Sequence, residues 1–189
     1  MEEKLKNALA EGEKILWTGR PESFETMDKT HKRHLTIRAA IHTGITLALI
    51  ISYLIISSGS NSSPSIAIIA VILAFCAFNL ISPITDAGTI RSRLEYAVTD
   101  RRLVMLKDDL VSVPYDTIES AAFRTDGDGH VSLLCGKDAL KLAATKWRGA
   151  AVIGSRKDSE TGKCTSFVLY AIPEAEKVKA IVAGYLTLI

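Results

Sequence analysis

The chain has 189 residues, with 23 Lys plus Arg against 21 Asp plus Glu and a formal net charge of +2. So even a balance supplies no polycationic face for a phosphate backbone, and nucleic acid is not an expected partner. The three cysteines, Cys76, Cys135 and Cys164, are odd in number and lack CxxC spacing, which disfavours a disulfide framework and fits a reducing compartment for the soluble part.

In chain order, Glu2–Glu11 places Leu5, Ala8 and Leu9 at helical spacing, and Gly12 comes next as a stop. Ile15-Leu16-Trp17-Thr18 reads as a short strand closed by Gly19-Arg20-Pro21. Thr26–Arg38 is basic and polar and leads helically into an apolar run, so 1–38 is expected to be an N-terminal cytoplasmic segment. Two uncharged apolar runs occupy the next stretch, Ala39–Ser57 and Ser65–Thr85, joined by the polar link Ser58-Gly59-Ser60-Asn61-Ser62-Ser63-Pro64. Each matches the ~20 helical residues that cross ~30 Å of hydrocarbon. At ~0.3–0.6 kcal/mol per central Leu, Ile, Phe or Val, each run favours insertion by several kcal/mol. The expectation is a transmembrane helical hairpin over 39–86. The roughly 100 remaining residues are too few to bury two helices that are apolar all round. The first run starts too far from Met1, and is too long, for a cleavable signal peptide.

Orientation is set by the flanks. Lys29, Lys32, Arg33 and Arg38 precede the first run with no acid among them, and Arg91, Arg93, Arg101 and Arg102 come after the second against Glu95 and Asp100. The positive-inside rule places both termini in the cytoplasm and the short link outside, as in a multi-pass protein of the inner (cytoplasmic) membrane. His42 and Asn79, one in each run, are expected to make interhelical polar contacts, and Pro83 falls near a helix end where a lost donor costs little.

From Leu94 the pattern turns to β. Strands are expected at Leu94–Val98, Leu103–Leu106, Leu110–Pro114, Ile118–Phe123, Val131–Cys135, Leu140–Ala144, Ala150–Ile153 and Ser166–Ala171. Thr125-Asp126-Gly127-Asp128-Gly129 is a hairpin turn, and Ser155–Lys163 a solvated loop. Pro173-Glu174 opens a last helix, Glu174–Leu188, with Val178, Ile181, Val182, Tyr185 and Leu186 on one face. The domain is expected to span 93–189.

The series Gly12-Glu13-Lys14-Ile15-Leu16-Trp17-Thr18-Gly19-Arg20-Pro21, a membrane hairpin, Tyr96-Ala97-Val98-Thr99-Asp100-Arg101-Arg102-Leu103-Val104 and Val113-Pro114-Tyr115-Asp116-Thr117-Ile118 resembles the bacterial pleckstrin-homology-like membrane proteins. The likeness covers nearly the whole chain. It implies a non-enzymatic membrane protein: a helical hairpin of two transmembrane helices plus a mainly-β, pleckstrin-homology-like cytoplasmic domain. In that domain about seven antiparallel strands curl over and a C-terminal helix caps the open end.

Several residues carry two readings. Trp17, with Arg20 and Pro21, is either a membrane-interface anchor or part of an extra strand docked on the sheet edge. Arg101 and Arg102 either touch anionic headgroups, at ~1 kcal/mol each, or hold a turn by pairing with Asp100 or Asp116. Lys32, Arg33 and Arg38 are candidate lipid contacts whose simpler role is setting topology. Lys137, Lys141, Lys146, Arg148, Arg156, Lys157 and Lys163 read as a solvated face. The Asp126–Gly129 stretch departs from an EF-hand, with His130 at the next alternate position and Lys137 where the closing Glu belongs. Gly162-Lys163-Cys164 is not a phosphate loop, and His31 with His34 lacks further metal ligands. No nucleophile, acid–base pair or cofactor motif converges, so no enzyme activity and no cofactor are expected. The expected function is a membrane-anchored interaction module that binds protein partners and the anionic lipid surface at the cytoplasmic leaflet. The alternative is a homo-oligomeric membrane scaffold or small pore-forming assembly, packed through His42, Asn79, Gly44 and Ala48.

Overall fold

The computed structural model describes residues 9–59 and 63–189. Most of the expected N-terminal helix lies outside the described residues. Its last part, 9–11, is not helical: Glu13 takes the Ala10 N–H on its Oε2 at 2.9 Å and returns its own N–H to the Ala10 carbonyl, closing a turn with Gly12 at φ +74°.

Two long helices dominate one end of the molecule. α1 spans Lys29–Gly59 (31 residues) and α2 spans Ile66–Arg93 (28 residues). At ~1.5 Å per residue they are roughly 45 Å long, more than the apolar runs need, because each continues beyond its run toward the β-domain. In the most apolar 18-residue windows only 6% of α1 and none of α2 is buried within the protein. These are two helices long and apolar enough to cross a membrane, and the other described residues do not cover them. That is the arrangement lipid requires and a soluble core helix does not show.

The β-domain holds eight strands in two antiparallel sheets among the described residues. β1 (Ile15–Gly19), β2 (Glu95–Thr99), β3 (Arg102–Leu106) and β4 (Leu110–Pro114) form a sheet in the order β1-β2-β3-β4. β5 (Ala121–Thr125), β6 (Val131–Cys135), β7 (Arg156–Lys157) and β8 (Cys164–Leu169) form the second, ordered β5-β6-β8-β7. β1 pairs with β2, Trp17 opposite Val98 and Gly19 opposite Tyr96. The hairpin is therefore inserted between two hydrogen-bonded neighbours of one sheet. β4 and β6 lie where the sequence predicts them, β4 from its alternation and β6 from the hairpin turn before it.

Two expected strands are absent. Leu140–Ala144 and Ala150–Ile153 are instead single 3-10 turns at Ala139–Lys141 and Ala144–Lys146, followed by helix α3 (Trp147–Ile153). The stretch is rich in Ala, which favours helix. Its buried residues Trp147 and Ala151 are four apart, the helical spacing rather than the alternation of a strand.

The last helix, α4 (Ala175–Val182), buries Val178 and Val182 and is shorter than expected. Bonds from Gly184 N–H to the Ile181 carbonyl and from Tyr185 N–H to that of Val182 tighten its end into a turn. The tail then returns to the second sheet, where Ile189 N–H donates to the Ala121 carbonyl at 3.0 Å. The core runs from Ala87, Ile90 and Leu94, at the base of α2, through Tyr96, Leu103 and Met105 to Leu133, Phe167, Leu169 and α4. The foot of a membrane-length helix is thus part of the β-domain's own hydrophobic core.

Candidate functional site

The hairpin and β-domain meet in a polar junction built from segments far apart in sequence. The turn after β5 is organised by Asp126, whose Oδ1 accepts the backbone N–H groups of Asp128 at 2.9 Å and His130 at 3.0 Å. This presents the Asp128 carboxylate to the start of α1, where Thr30 lies 98 residues earlier in the chain. There it accepts Lys29 N–H at 3.0 Å, Thr30 N–H at 2.9 Å and the Thr30 hydroxyl at 2.5 Å. First-turn N–H groups have no partner inside a helix, and a negative charge beside them is favourable. Desolvation opposes ionisation, but the Thr30 and Lys29 hydrogen bonds outweigh it and bring the Asp128 carboxyl down to about 2. Gly127 permits the approach, since a Cβ there would lie 3.0 Å from the Thr30 hydroxyl oxygen. The Asp-Gly-Asp-Gly stretch is indeed a turn, and that turn caps a helix.

Beside it lies a buried ionic network. Arg148, on α3, is 4% exposed, although the sequence pattern groups it with a solvated basic face. Its Nη2 is bonded to Asp28 Oδ2 and donates to the Glu25 carbonyl at 3.1 Å, while Nη1 donates to that of Thr26 at 3.0 Å. The guanidinium also donates to the Tyr170 hydroxyl at 3.2 Å and lies 4.1 Å over the Phe24 ring. Tyr170 in turn donates to Asp126 Oδ2 at 3.0 Å. Burial raises the pKa of that phenol, which keeps it a donor. Asp28 receives His31 Nδ1–H at 2.7 Å, so neutral His31 carries its lone pair on Nε2, which has no hydrogen-bond partner among the described residues although the residue is only 4% exposed. A cation removed from water needs paired charge and satisfied donors. Arg148 finds them by joining the chain before α1, helix α3 and the end of β8.

A second contact fixes the hairpin itself. Pro83 lies inside α2 and has no N–H, which leaves the carbonyl four residues earlier, that of Asn79, without its helical donor. Arg38 of α1 supplies the donor, Nη2 to Asn79 O at 2.8 Å. Asn79 and His42 do meet the opposite helix, but through their backbone carbonyls: His42 O faces the Cys76 thiol at 4.0 Å, and the Asn79 side chain bonds its own helix at Phe75 O. Nothing lies within 4 Å of a Cβ placed on Gly44.

The other predicted contacts disperse. Trp17, 5% exposed, lies in the core, as the docked-strand reading has it. Arg20 pairs with Glu95. Arg101 donates to the Glu11 carbonyl at 3.3 Å. Arg102 meets neither expected acid first but grips Glu13 with two bonds, Nε to Oε1 at 2.9 Å and Nη2 to Oε2 at 2.8 Å. That fork holds the Glu13 carboxyl down at about 2 against the effect of burial. Lys32 and Arg33 stand exposed at the base of α1. The seven residues do not form one patch.

Between the base of α1, the base of α2 and the α3 region lies a cavity of about 430 Å³. Its wall includes His31, Arg38, Asp86, Lys146, Gly149 and Arg156. Among the described residues no cluster of three His, Cys, Asp or Glu is placed to hold a metal. No family model, no curated protein and no solved structure matches the chain.

Proposed function

We propose that this protein is a membrane-anchored interaction module: a pleckstrin-homology-like domain held at the cytoplasmic leaflet by a two-helix hairpin, both termini cytoplasmic, engaging protein partners at the membrane surface. The observation that carries this reading is the continuity of anchor and domain. α2 runs into β2 through the buried residues Ala87, Ile90 and Leu94, Asp128 caps α1, and Arg148 ties the segment before α1 to the β-domain. An anchor built this way sets the height and orientation of the domain, which a flexible tether does not. A fixed orientation raises effective concentration toward other membrane components. The basic flank of α1 and the Arg91 and Arg93 end of α2 support the cytoplasmic placement by the positive-inside rule. Two antiparallel sheets followed by a C-terminal helix that buries Val178 and Val182 in the core support the pleckstrin-homology-like reading.

The partner surface on this reading is β4, which has a strand neighbour on one side only. An extended segment adds to such an edge through main-chain hydrogen bonds. A photo-crosslinking residue at Ser112 of the full-length chain, activated in native membranes, is expected to give discrete protein adducts that a probe at Thr161 does not. Adducts at both positions, or at neither, would defeat the proposal. Adducts consisting only of a second copy of this chain would favour the homo-oligomeric scaffold.

A further inference from the structure

The cavity at the foot of the hairpin has the chemistry of a lipid-headgroup site. We propose that it holds the headgroup of an aminophospholipid, with the phosphodiester on Lys146, Arg156 and the remaining N–H groups of Arg38, and the ammonium on Asp86. The proposal rests on the membrane-anchored reading and names a ligand site for it.

Position is the first argument. Arg38 immediately precedes the first apolar run and Asp86 immediately succeeds the second, so the wall lies where both helices leave the hydrocarbon. Apolar residues form part of the wall, Leu35, Pro83, Leu142 and the exposed Ile153 among them, and Ile37 and Ile84, next in sequence to wall residues Arg38 and Pro83, are exposed. Acyl chains can run along these residues and the helices beyond them while the polar end enters the cavity.

Charge is the second argument. The Lys146 and Arg156 side chains have no ion-pair partner among the described residues, and Arg38 spends one nitrogen on the Asn79 carbonyl. Arg148, which also lines the cavity, is neutralised from behind by Asp28. Asp86 makes no hydrogen bond or ion pair with another described residue; Arg38 and Lys107 attract it only at longer range, and burial disfavours its charge. A half-buried carboxylate without a hydrogen-bond partner, with the exposed Asp138 carboxylate on the same wall and three basic side chains around it, suits a zwitterion better than a simple anion: phosphate answers the cations, and a primary ammonium answers Asp86. His31 adds a third polar feature, since its unpartnered Nε2 belongs to a residue on the same wall and accepts an N–H. The space is open as well. Beyond its own helix and chain neighbours, the one heavy atom of the described residues within 4 Å of a Cβ on Gly149 is Asp86 Oδ2, at 3.7 Å.

The test uses the full-length chain in detergent with equimolar phosphatidylethanolamine and phosphatidylglycerol, the retained lipid being identified by native mass spectrometry. One phosphatidylethanolamine per chain is expected, preferred over phosphatidylglycerol by roughly tenfold, the effect of one added charged hydrogen bond. Asp86→Asn should abolish the preference and keep phospholipid retention. Lys146→Ala with Arg156→Ala, both exposed, should lose retention of both lipids, and Gly149→Leu should do so by filling the cavity. Inorganic phosphate at millimolar concentration should not displace the lipid. Failure to retain any phospholipid, equal retention of the two by the unmodified chain, a preference untouched by Asp86→Asn, or displacement by phosphate alone would each overturn the proposal. Persistence of the Ser112 crosslinks in such a case would leave the interaction-module reading standing.

Discussion

Arg38→Met removes the guanidinium that serves the Asn79 carbonyl and keeps most of the aliphatic stem. The lost bond is 2.8 Å long and has a charged donor, and the carbonyl it leaves has no helical substitute because residue 83 is proline. Hydrogen bonds to charged groups are worth ~1.5–3 kcal/mol, and an orphaned buried acceptor adds its desolvation cost. The expected destabilisation of the hairpin is therefore about 2 kcal/mol. Pro83→Ala supplies an N–H that can bond Asn79 O within α2, so in that background Arg38→Met should cost less by about 1–2 kcal/mol. Long-range attraction between Arg38 and Asp86 is common to both backgrounds and cancels in the cycle. Reversible unfolding of the full chain in mixed micelles, monitored by far-ultraviolet ellipticity, gives the four stabilities, since α1 and α2 hold most of the helical residues. Equal costs in the two backgrounds, within ~0.5 kcal/mol, would refute the claim that Arg38 stands in for the donor that Pro83 lacks.

Arg148→Met strands the buried Asp28 carboxylate and should cost about 3–5 kcal/mol, with partial recovery in the Asp28→Asn background; thermal unfolding read by the fluorescence of the two core tryptophans, Trp17 and Trp147, checks both, and a loss below ~1 kcal/mol would contradict the buried network. Asp128→Ala should cost ~0.5–2 kcal/mol through loss of its bonds to the first-turn amides, and hydrogen exchange should quicken at the Lys29 and Thr30 amides while the His31 amide, held by Asp28, and the middle of α1 are unaffected. Glu13, held near 2 in the folded chain against an ordinary 4.5, contributes stability that is full above pH 4.5 and is lost as the pH falls through about 2. Arg102→Gln should flatten that acid limb of a stability–pH curve, and an unchanged limb would show that the fork does not hold the carboxyl down.

The hairpin is legible in the sequence because insertion depends on apolar length alone, a property summed along the chain and indifferent to what packs elsewhere. β4 is legible for a related reason, since alternation records which face of a strand meets a core, and β6 because the Asp-Gly-Asp-Gly turn before it marks where a strand must begin. The 139–153 segment is not, because short Ala-rich apolar runs satisfy strand and helix templates alike, and the spacing of Trp147 and Ala151 becomes informative only once burial is known. The junction is hardly legible. Arg148 stands among lysines in a basic stretch, and nothing local marks it as the one that meets Asp28, 120 positions away. The one available signal is the Asp126–Gly129 turn, whose two carboxylates exceed what a hairpin turn needs.

Solvent preference is a local quantity, so residue types alone established that two helices are long and apolar enough to cross a membrane and that a β-rich domain comes after them. Pairing is not local. That β1 joins β2 across the whole hairpin, that Asp128 caps α1, that Arg38 serves a carbonyl orphaned by Pro83, and that charged side chains enclose a cavity at the foot of the helices all depend on the folded geometry. A buried charge or unpaired carbonyl is tolerated only where some distant group arrives within about 3 Å, and no pattern of neighbours along the chain specifies which group that is.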